Sequence, residues 1–499
     1  MKLNTQTRWS DFHHLIECLS EPFNSCGFSF LKPDGKCLHV KTSLSQTTLG
    51  LMQSPMLIKN FFPLDEDTIY FHNEPSFGCL TYGGIQFIFL QSGFLFCVQE
   101  KFDFLWNTES KGKPTDPLKI PPFPLIEKGK INDFIFESFK ANPNLKSDFS
   151  EQLKSTLKKI QLFKQNFSHL TTKYPQFFTD EFTQKYLDYC LDEARFKIRQ
   201  KVLSQSGYEC ELTTKETFRV KLATDESGVK IDFQGTSAPQ KIGFSDLFTD
   251  GVCFHFLSHC YQFSHKMNSA TFSLFKIIKP QHSLVAAKQL SPLVLAENYG
   301  VPILKTALHS CLWNIYGKNQ TAPHNYFQPI MQFQKESTDF LNMKINNGRS
   351  FYFMNNYQQD RGYYLKNNSD GHDFPGMNEF SNFGIEVVSC EEFNSSDVNA
   401  LSQQPPSNAW KLVLKSSQNL KFILFPEIIA KILTKDKNLS ERTHMVIELI
   451  PNPKNMNYSP ANFTNGTPIT SEMNELKTEW VWEKNNFLII RSGISSKII

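Results

Sequence analysis

The chain has 499 residues, 40% of them hydrophobic and 20% charged, which is too long for one ordinary core and too apolar for a disordered polymer. Its 52 basic and 49 acidic side chains leave a formal net charge of +3, so a nucleic-acid or membrane-surface partner held by bulk charge is not expected. No apolar run approaches 18 residues, and Met1 to Trp9 lacks the apolar stretch of a secretion signal, so the cytoplasm is the expected location.

Residues 1–125 read as mainly strands and turns. Gly27 to Val40 is a hairpin turned by Pro33-Asp34-Gly35. Thr68 to His72 is an extended run that delivers the turn Asn73-Glu74-Pro75, closed by Gly78. Ile85–Leu90 and Phe94–Val98 flank Gln91-Ser92-Gly93 as a second hairpin, and Ile120-Pro121-Pro122 ends the region as a stiff extended stretch. The period becomes helical over 126–208. Asp148 or Ser150 caps a helix with Leu153, Leu157, Ile160, Phe163 and Phe167 on one face. A second helix from Thr179 carries Phe182, Tyr186, Tyr189, Ala194 and Ile198 and is expected to stop near Gly207.

Over 209–330 strands and helices mix. Thr217–Ala223 and Val229–Phe233 form a hairpin around Asp225 to Gly228, residues 247–265 are helical, and Phe275–Ile278 is a strand. Residues 331–499 are strand-rich, with polar loops at 355–381 and 391–409. The expected class is α+β, a large multi-domain mixed fold with strand-rich ends around a helical segment, and there is no repeating βαβ pattern. Neither a glycine-rich dinucleotide loop nor a P-loop occurs. The eleven scattered Cys contain no Cys-x-x-Cys pair and read as free, mostly buried thiols; the 47 Phe read as core packing.

Cys253, His255, His259 and Cys260, with His265 nearby, form the one cluster of metal-like composition. His255 and His259 share a helix face at the i, i+4 spacing of zinc helices, but their apolar neighbours favour a core helix. Arg195 and Arg199 share a helix face and read as solvated ion-pair partners. No Gly-x-Ser-x-Gly nucleophile elbow is present.

A series of short motifs, collinear along nearly the whole chain, resembles the hydantoinase B/5-oxoprolinase family, which is related to the acetone carboxylase subunits. Phe28 to Val40 resembles the family's early strand pair with its Asp-Gly turn, and Leu49-Gly50-Leu51-Met52 its His-Leu-Gly-Ser-Met step. Asp65 to Gly78 is similar to the segment carrying Asn-Asp-Pro, and Leu118 to Leu125 to its Ile-Pro-Pro stretch. Asn142, Ser147-Asp148 and Gln152 resemble the Asn-x-Arg-x-Pro and Gly-Asp-Leu-x-Ala-Gln signature, and Asp232-Phe233-Gln234-Gly235-Thr236 the Asp-Phe-x-Gly-Thr motif. Asn268 with Pro280, Ser369-Asp370-Gly371, and Met377 to Glu386 continue the series.

The resemblance implies metal-dependent, ATP-coupled hydrolysis of cyclic amides such as hydantoins and 5-oxoproline, with a divalent metal as cofactor and a hydantoinase A-type ATP-using subunit as partner in an oligomer. It implies catalytic roles for Glu74 and Asp232 and substrate contacts from Asn73, Asn142 and Asp148, while His72, Glu74 and Asp103 are the nearby residues that offer metal ligands in place of the family's own. The sequence departs from the family where metal ligands are expected. Thr81 and Gly84 stand where a His and an Asp would be, Phe104-Leu105-Trp106-Asn107 replaces His-His-Ala-Asp, and Ser45 to Thr48 occupy the region of an earlier His. The metal, and with it the hydrolysis, is therefore expected to be weakened or lost, leaving a pseudoenzyme or a non-catalytic scaffold or regulatory subunit. The alternative is a working hydrolase with a site rebuilt from His72, Glu74 and Asp103. His72 alternatively reads as a core or surface imidazole, Glu74 as a solvated turn residue and Asp232 as a structural strand end. Tyr357 to Gly362 and Asn408 to Ser416 replace glycine-rich family loops, the second with an ordinary strand.

Overall fold

A computed structural model describes residues 5–23, 27–81, 83–102, 119–142, 145, 148–201, 203–211, 216–240, 243–288, 293, 296–316, 330–336, 339–344, 381, 384–393, 409–425, 431–432, 444–450, 467–468, 478–482 and 487–494. The chain is a mixed α+β protein that divides into two compact units. One comprises Met1–Glu109, Pro114–Gly207 and Arg219–Leu308; the other comprises Ser110–Lys113, Tyr208–Phe218 and His309–Ile499. The expected loops at 355–381 and 391–409 fall almost wholly outside the described residues, as do Tyr357 to Gly362 and Asp103.

The first unit is built on a seven-stranded antiparallel sheet: β1 (Gly27–Leu31), β2 (Cys37–Thr42), β3 (Ile69–His72), β4 (Gly84–Gln91), β5 (Phe94–Lys101), β6 (Phe123–Glu127) and β7 (Lys130–Ile131). Their spatial order is β2-β1-β5-β4-β3-β6-β7. Both expected hairpins are present: Phe30 pairs with His39, and Leu90 with Leu95 across the 91–93 turn. Gly35 and Gly93 supply the positive φ, +88° and +79°, that those turns require.

The pleat sends alternate residues to opposite faces. Phe28, Phe30, Ile69, Phe71, Phe87, Phe89, Phe96 and Val98 share one face and join the large aromatic core. That core also takes residues of α1 (Thr5–Ser20), α3 (Asp133–Lys140), α4 (Phe149–Lys173) and α5 (Asp180–Arg199), but none of α2 (Thr48–Phe61). Phe96 sits among rings, 5.1 Å from Phe30, 5.3 Å from Phe89, 5.0 Å from Phe163 and 4.9 Å from Phe167. Ring-on-ring packing accounts for the phenylalanine excess of this region.

Helix α4 buries Leu153, Leu157, Ile160, Phe163 and Phe167, the stripe its periodicity predicts. Helix α5 starts where Thr179 caps it through the Phe182 N–H. It ends at Arg199 rather than near Gly207, which lies within β8 (Leu203–Glu211); its last buried apolar residue is Ile198. The reading of 1–125 as mainly strands missed α1 and α2. Helix α2 covers the opposite sheet face even though it contains Gly50 and Pro55. Pro55 offers no N–H to the Leu51 carbonyl one turn back, and Ser29 Oγ on β1 donates to that carbonyl instead, at 2.6 Å.

Downstream, β9 (Thr217–Asp225) and β10 (Gly228–Asp232) form the expected antiparallel hairpin. α6 (Asp246–Cys260) and α7 (Ser269–Phe272) lie in the crossover to β11 (Phe275–Ile278), which runs parallel to β10. Asn268 caps α7 in a capping box with Thr271. The π-helical turn Ala296–Gly300 leads into α8 (Val301–Tyr316).

The second unit is strand-rich. β12 (Ile330–Glu336), β13 (Asp339–Lys344), β16 (Leu420–Phe425) and β20 (Thr478–Trp482) make a four-stranded sheet in the order β13-β12-β16-β20. β14 (Ile385–Phe393), β15 (Ala409–Ser416), β18 (His444–Ile450), β19 (Thr467–Pro468) and β21 (Phe487–Ile494) make a five-stranded one in the order β14-β15-β21-β18-β19. The segment after Asn408 is the ordinary strand expected of it. A short strand, β17 (Lys431–Ile432), pairs with the end of β8.

Candidate functional site

The turn after β3 lies against α2 at a backbone crossing. A Cβ on Gly50 would sit 2.0 Å from the Gly78 carbonyl oxygen, and Gly78 itself has φ +98°. Glycine is required at both positions, one for closeness and the other for closeness and conformation. Beneath α2 lies a buried polar layer from the same sheet face. His72 pairs in register with Gln86, and Gln86 with Gln99.

His72 is fully buried, and burial pushes its imidazole down to about 3, so the ring is neutral. Its Nδ1 accepts the Glu74 N–H at 3.2 Å, so Nε2 carries the proton and donates to Ser54 Oγ at 3.1 Å. Both ring nitrogens are therefore engaged. Gln86 Nε2 donates to the Gly78 carbonyl and to Gln99 Oε1, each at 3.0 Å. Gln86 Oε1 and Gln99 Nε2 are buried without hydrogen-bond partners.

Next to this layer three side chains converge from distant stretches. Glu297, in the π turn, accepts through Oε1 from Gln46 Nε2 and from Thr81 Oγ1, each at 2.9 Å. Gln46 and Thr81 are both 2% exposed. Thr81 holds the position where the resemblance expects a metal-binding His, and Gln46 lies in the region of the earlier one. Gly84, where an Asp would stand, packs directly against Thr81: a Cβ there would lie 2.4 Å from Thr81 Cγ2. Sequence reading missed Glu297. Its sole local signal is the π-helical irregularity, a form common at functional sites and invisible in residue type.

The other candidates do not gather at this point. Glu74 caps the short 3-10 turn Pro75–Phe77, its Oε1 accepting from the Ser76 N–H and hydroxyl. Asn73 is buried and binds Ile120 twice, its Oδ1 taking the Ile120 N–H at 2.6 Å and its N–H reaching the Ile120 carbonyl. Asn142 closes α3 through its backbone, and Asp148 is exposed at the start of α4, accepting from Gln152 Nε2. Asp232 accepts the Gln234 N–H at the end of β10. Thr236 of the same motif takes the Arg219 N–H and donates to the Arg219 carbonyl, which clamps the β10 end to β9.

The α6 cluster is a packed helix. His255 Nε2 donates to the Thr42 carbonyl at 3.1 Å, its ring is 4.7 Å from that of His259, and burial holds it at about 3. Cys253 is fully buried. Burial pushes the Cys260 thiol up to about 12, so it is inert as a thiolate at neutral pH. Among the described residues, which leave out Asp103, no group of three or more His, Cys, Asp and Glu side chains is placed to hold a metal ion. Arg195 pairs with Asp192 at an exposed site, the solvated pair expected there.

The sequence model described as Hydantoinase B/oxoprolinase matches residues 106–389. The chain belongs to this family. Comparison with curated proteins gives no significant match. The fold is similar to the crystal structure of an ATP-dependent caprolactamase from Pseudomonas jessenii, with a TM-score of 0.71 at 10% identity, covering 99% of this chain and 91% of that one. It is also similar to nucleotide-free acetone carboxylase, from work on ATP-dependent acetone carboxylation, with a TM-score of 0.63 at 9% identity, covering 97% of this chain and 73% of that one. The family match begins after the β3 turn, whereas the likeness in fold runs through it. This hydantoinase B-family chain thus has the fold of those proteins across the β3 turn as well. No described helix is long and apolar enough to cross a membrane.

Proposed function

We propose that this family member retains the hydantoinase B scaffold while the metal-dependent, ATP-coupled opening of cyclic amides is weakened or lost. On this reading it acts in the cytoplasm as a non-catalytic scaffold or regulatory subunit in an oligomer with a hydantoinase A-type ATP-using partner. The observation that carries the reading is the Gln46–Glu297–Thr81 network. Neutral donors occupy the carboxylate's Oε1 where the family places imidazoles. Such a network satisfies itself without a cation. His72, with both nitrogens bonded, and Glu74, used as a cap, support the same view. The caprolactamase and acetone carboxylase of similar fold are ATP-dependent systems, which supports the expectation of an ATP-using partner.

The test is co-purification with a hydantoinase A-type subunit, followed by ATP-dependent 5-oxoproline and hydantoin opening. A stable complex without turnover is expected. Turnover abolished by Glu74→Ala or Asp103→Ala would instead establish a rebuilt site and overturn the reading.

A further inference from the structure

At the C-terminal end of α6 a lysine stands without a counterpart among the described residues. Lys305, in the second turn of α8, is partly buried, and its amine makes neither an ion pair nor a hydrogen bond to any of them. Burial pushes that amine below its ordinary value. A desolvated ammonium with no partner is costly, and such charges are ordinarily paired or bound to something. Lys305 acts electrostatically on His255, His259 and Cys260, and no described carboxylate acts on any of these residues. Asp246 and Asp250, the acids of α6, lie toward its start and pair with Lys279.

Lys305 is not needed to cap the helix. Lys201, just past α5, donates to the Cys260 carbonyl at 2.9 Å, and Lys197 donates to the Gln262 carbonyl at 2.6 Å, so the carbonyls at this end already have cations. Lys197 is balanced by Glu193, whereas Lys201 makes no ion pair with a described residue. His259 is exposed, and its ring makes no hydrogen bond to a described residue. The ring lies 4.7 Å from that of His255, which is itself fixed by the Thr42 carbonyl at 3.1 Å.

We infer that Lys305, Lys201 and His259 bind a compact dianionic oxyanion of the phosphate type between the end of α6 and α8. The two ammoniums, unopposed by any described acid, match the charge of about −1.5 to −2 that a phosphate group carries near neutral pH. Lys305 brings all its N–H donors, and Lys201 brings those beyond the one on Cys260, enough for several charge-assisted bonds to one oxyanion. His259 adds a ring N–H at the solvent side, where the ligand enters. The Cys260 thiol, pushed up to about 12, stays neutral and adds no competing charge. The site shares no residue with the Gln46–Glu297–Thr81 network, so it stands whether or not the proposed function does.

The test is calorimetric titration of the full-length protein with inorganic phosphate at low ionic strength, beside urea unfolding with and without phosphate. One saturable equivalent is expected, and phosphate should raise the unfolding midpoint. Lys305→Met and Lys201→Gln should each weaken binding by about tenfold or more. Lys305→Met should also leave the phosphate-free protein at least as stable as the parent, because it removes an unpaired charge. Lys185→Gln, at an exposed lysine paired with Glu181, should bind as the parent does. No saturable binding, affinity that survives both Lys305→Met and Lys201→Gln, or equal competition by acetate or chloride at matched ionic strength would overturn the site. A loss of stability in phosphate-free Lys305→Met would do the same, by making the amine a structural group.

Discussion

Gly50 and Gly78 cross backbone to backbone, and a single added Cβ on Gly50 would lie 2.0 Å from the Gly78 carbonyl oxygen. No side-chain rotation relieves that contact, because the obstacle is main chain. Gly50→Ala is therefore expected to cost about 3 kcal/mol, the upper end for overpacking. Gly93→Ala has open space around it and meets only the strain of φ +79°, so about 1 kcal/mol is expected. Urea unfolding of the two variants checks the contrast, and equal costs would contradict the crossing.

Ser29 takes the place of the N–H that Pro55 lacks, donating to the Leu51 carbonyl deep under α2. Ser29→Ala leaves that buried carbonyl without the hydroxyl and should cost about 1–3 kcal/mol. Pro55→Ala restores the helix N–H and should make the Ser29 substitution milder. A double-mutant cycle by chemical unfolding measures the coupling; strict additivity would remove the link.

How much could be read in the sequence depended on how locally each feature was written. The β1–β2 and β4–β5 hairpins announce themselves through Pro33-Asp34-Gly35 and Gln91-Ser92-Gly93, and α4 through its apolar stripe. Helix α2 does not, because Gly50 and Pro55 speak against a helix and their reasons, a backbone crossing and a hydroxyl from β1, lie elsewhere in the chain. The Asp-Phe-x-Gly-Thr motif was recognisable, but its role as a strand clamp rests on Arg219, 17 residues away from Thr236. Thr81 and Glu297 are 216 residues apart, and no local pattern marks the carboxylate.

Acid should destabilise the fold through its buried histidines. His39, His72 and His255 are each held neutral by burial, at about 3 against an ordinary value of 6.5. The unfolded chain therefore binds protons that the folded one refuses as pH falls below 6.5. Each histidine removes about 1.4 kcal/mol per pH unit in the window from 6.5 down to about 3. Urea unfolding of chelator-treated protein between pH 7 and pH 5 should show this loss, and His72→Gln should shallow the slope by one proton. A pH-independent stability across that range would mean these rings are not buried neutral.

Glu297 tests the candidate site itself. Its Oε1 is the shared acceptor for two buried donors, so Glu297→Ala leaves Gln46 Nε2 and Thr81 Oγ1 facing a cavity. A cost of about 2–4 kcal/mol is expected, from two hydrogen bonds to a charged acceptor. Glu297→Gln keeps an oxygen in place and should recover more than half of that stability. The comparison also separates two uses of the carboxylate. If Glu297 is held for structure, the Gln variant binds a hydantoinase A-type partner as the parent does. If its charge serves a cation or a substrate, the Gln variant folds well yet loses whatever metal-dependent turnover the complex has, and unfolding curves beside an ATP-coupled assay tell the two apart.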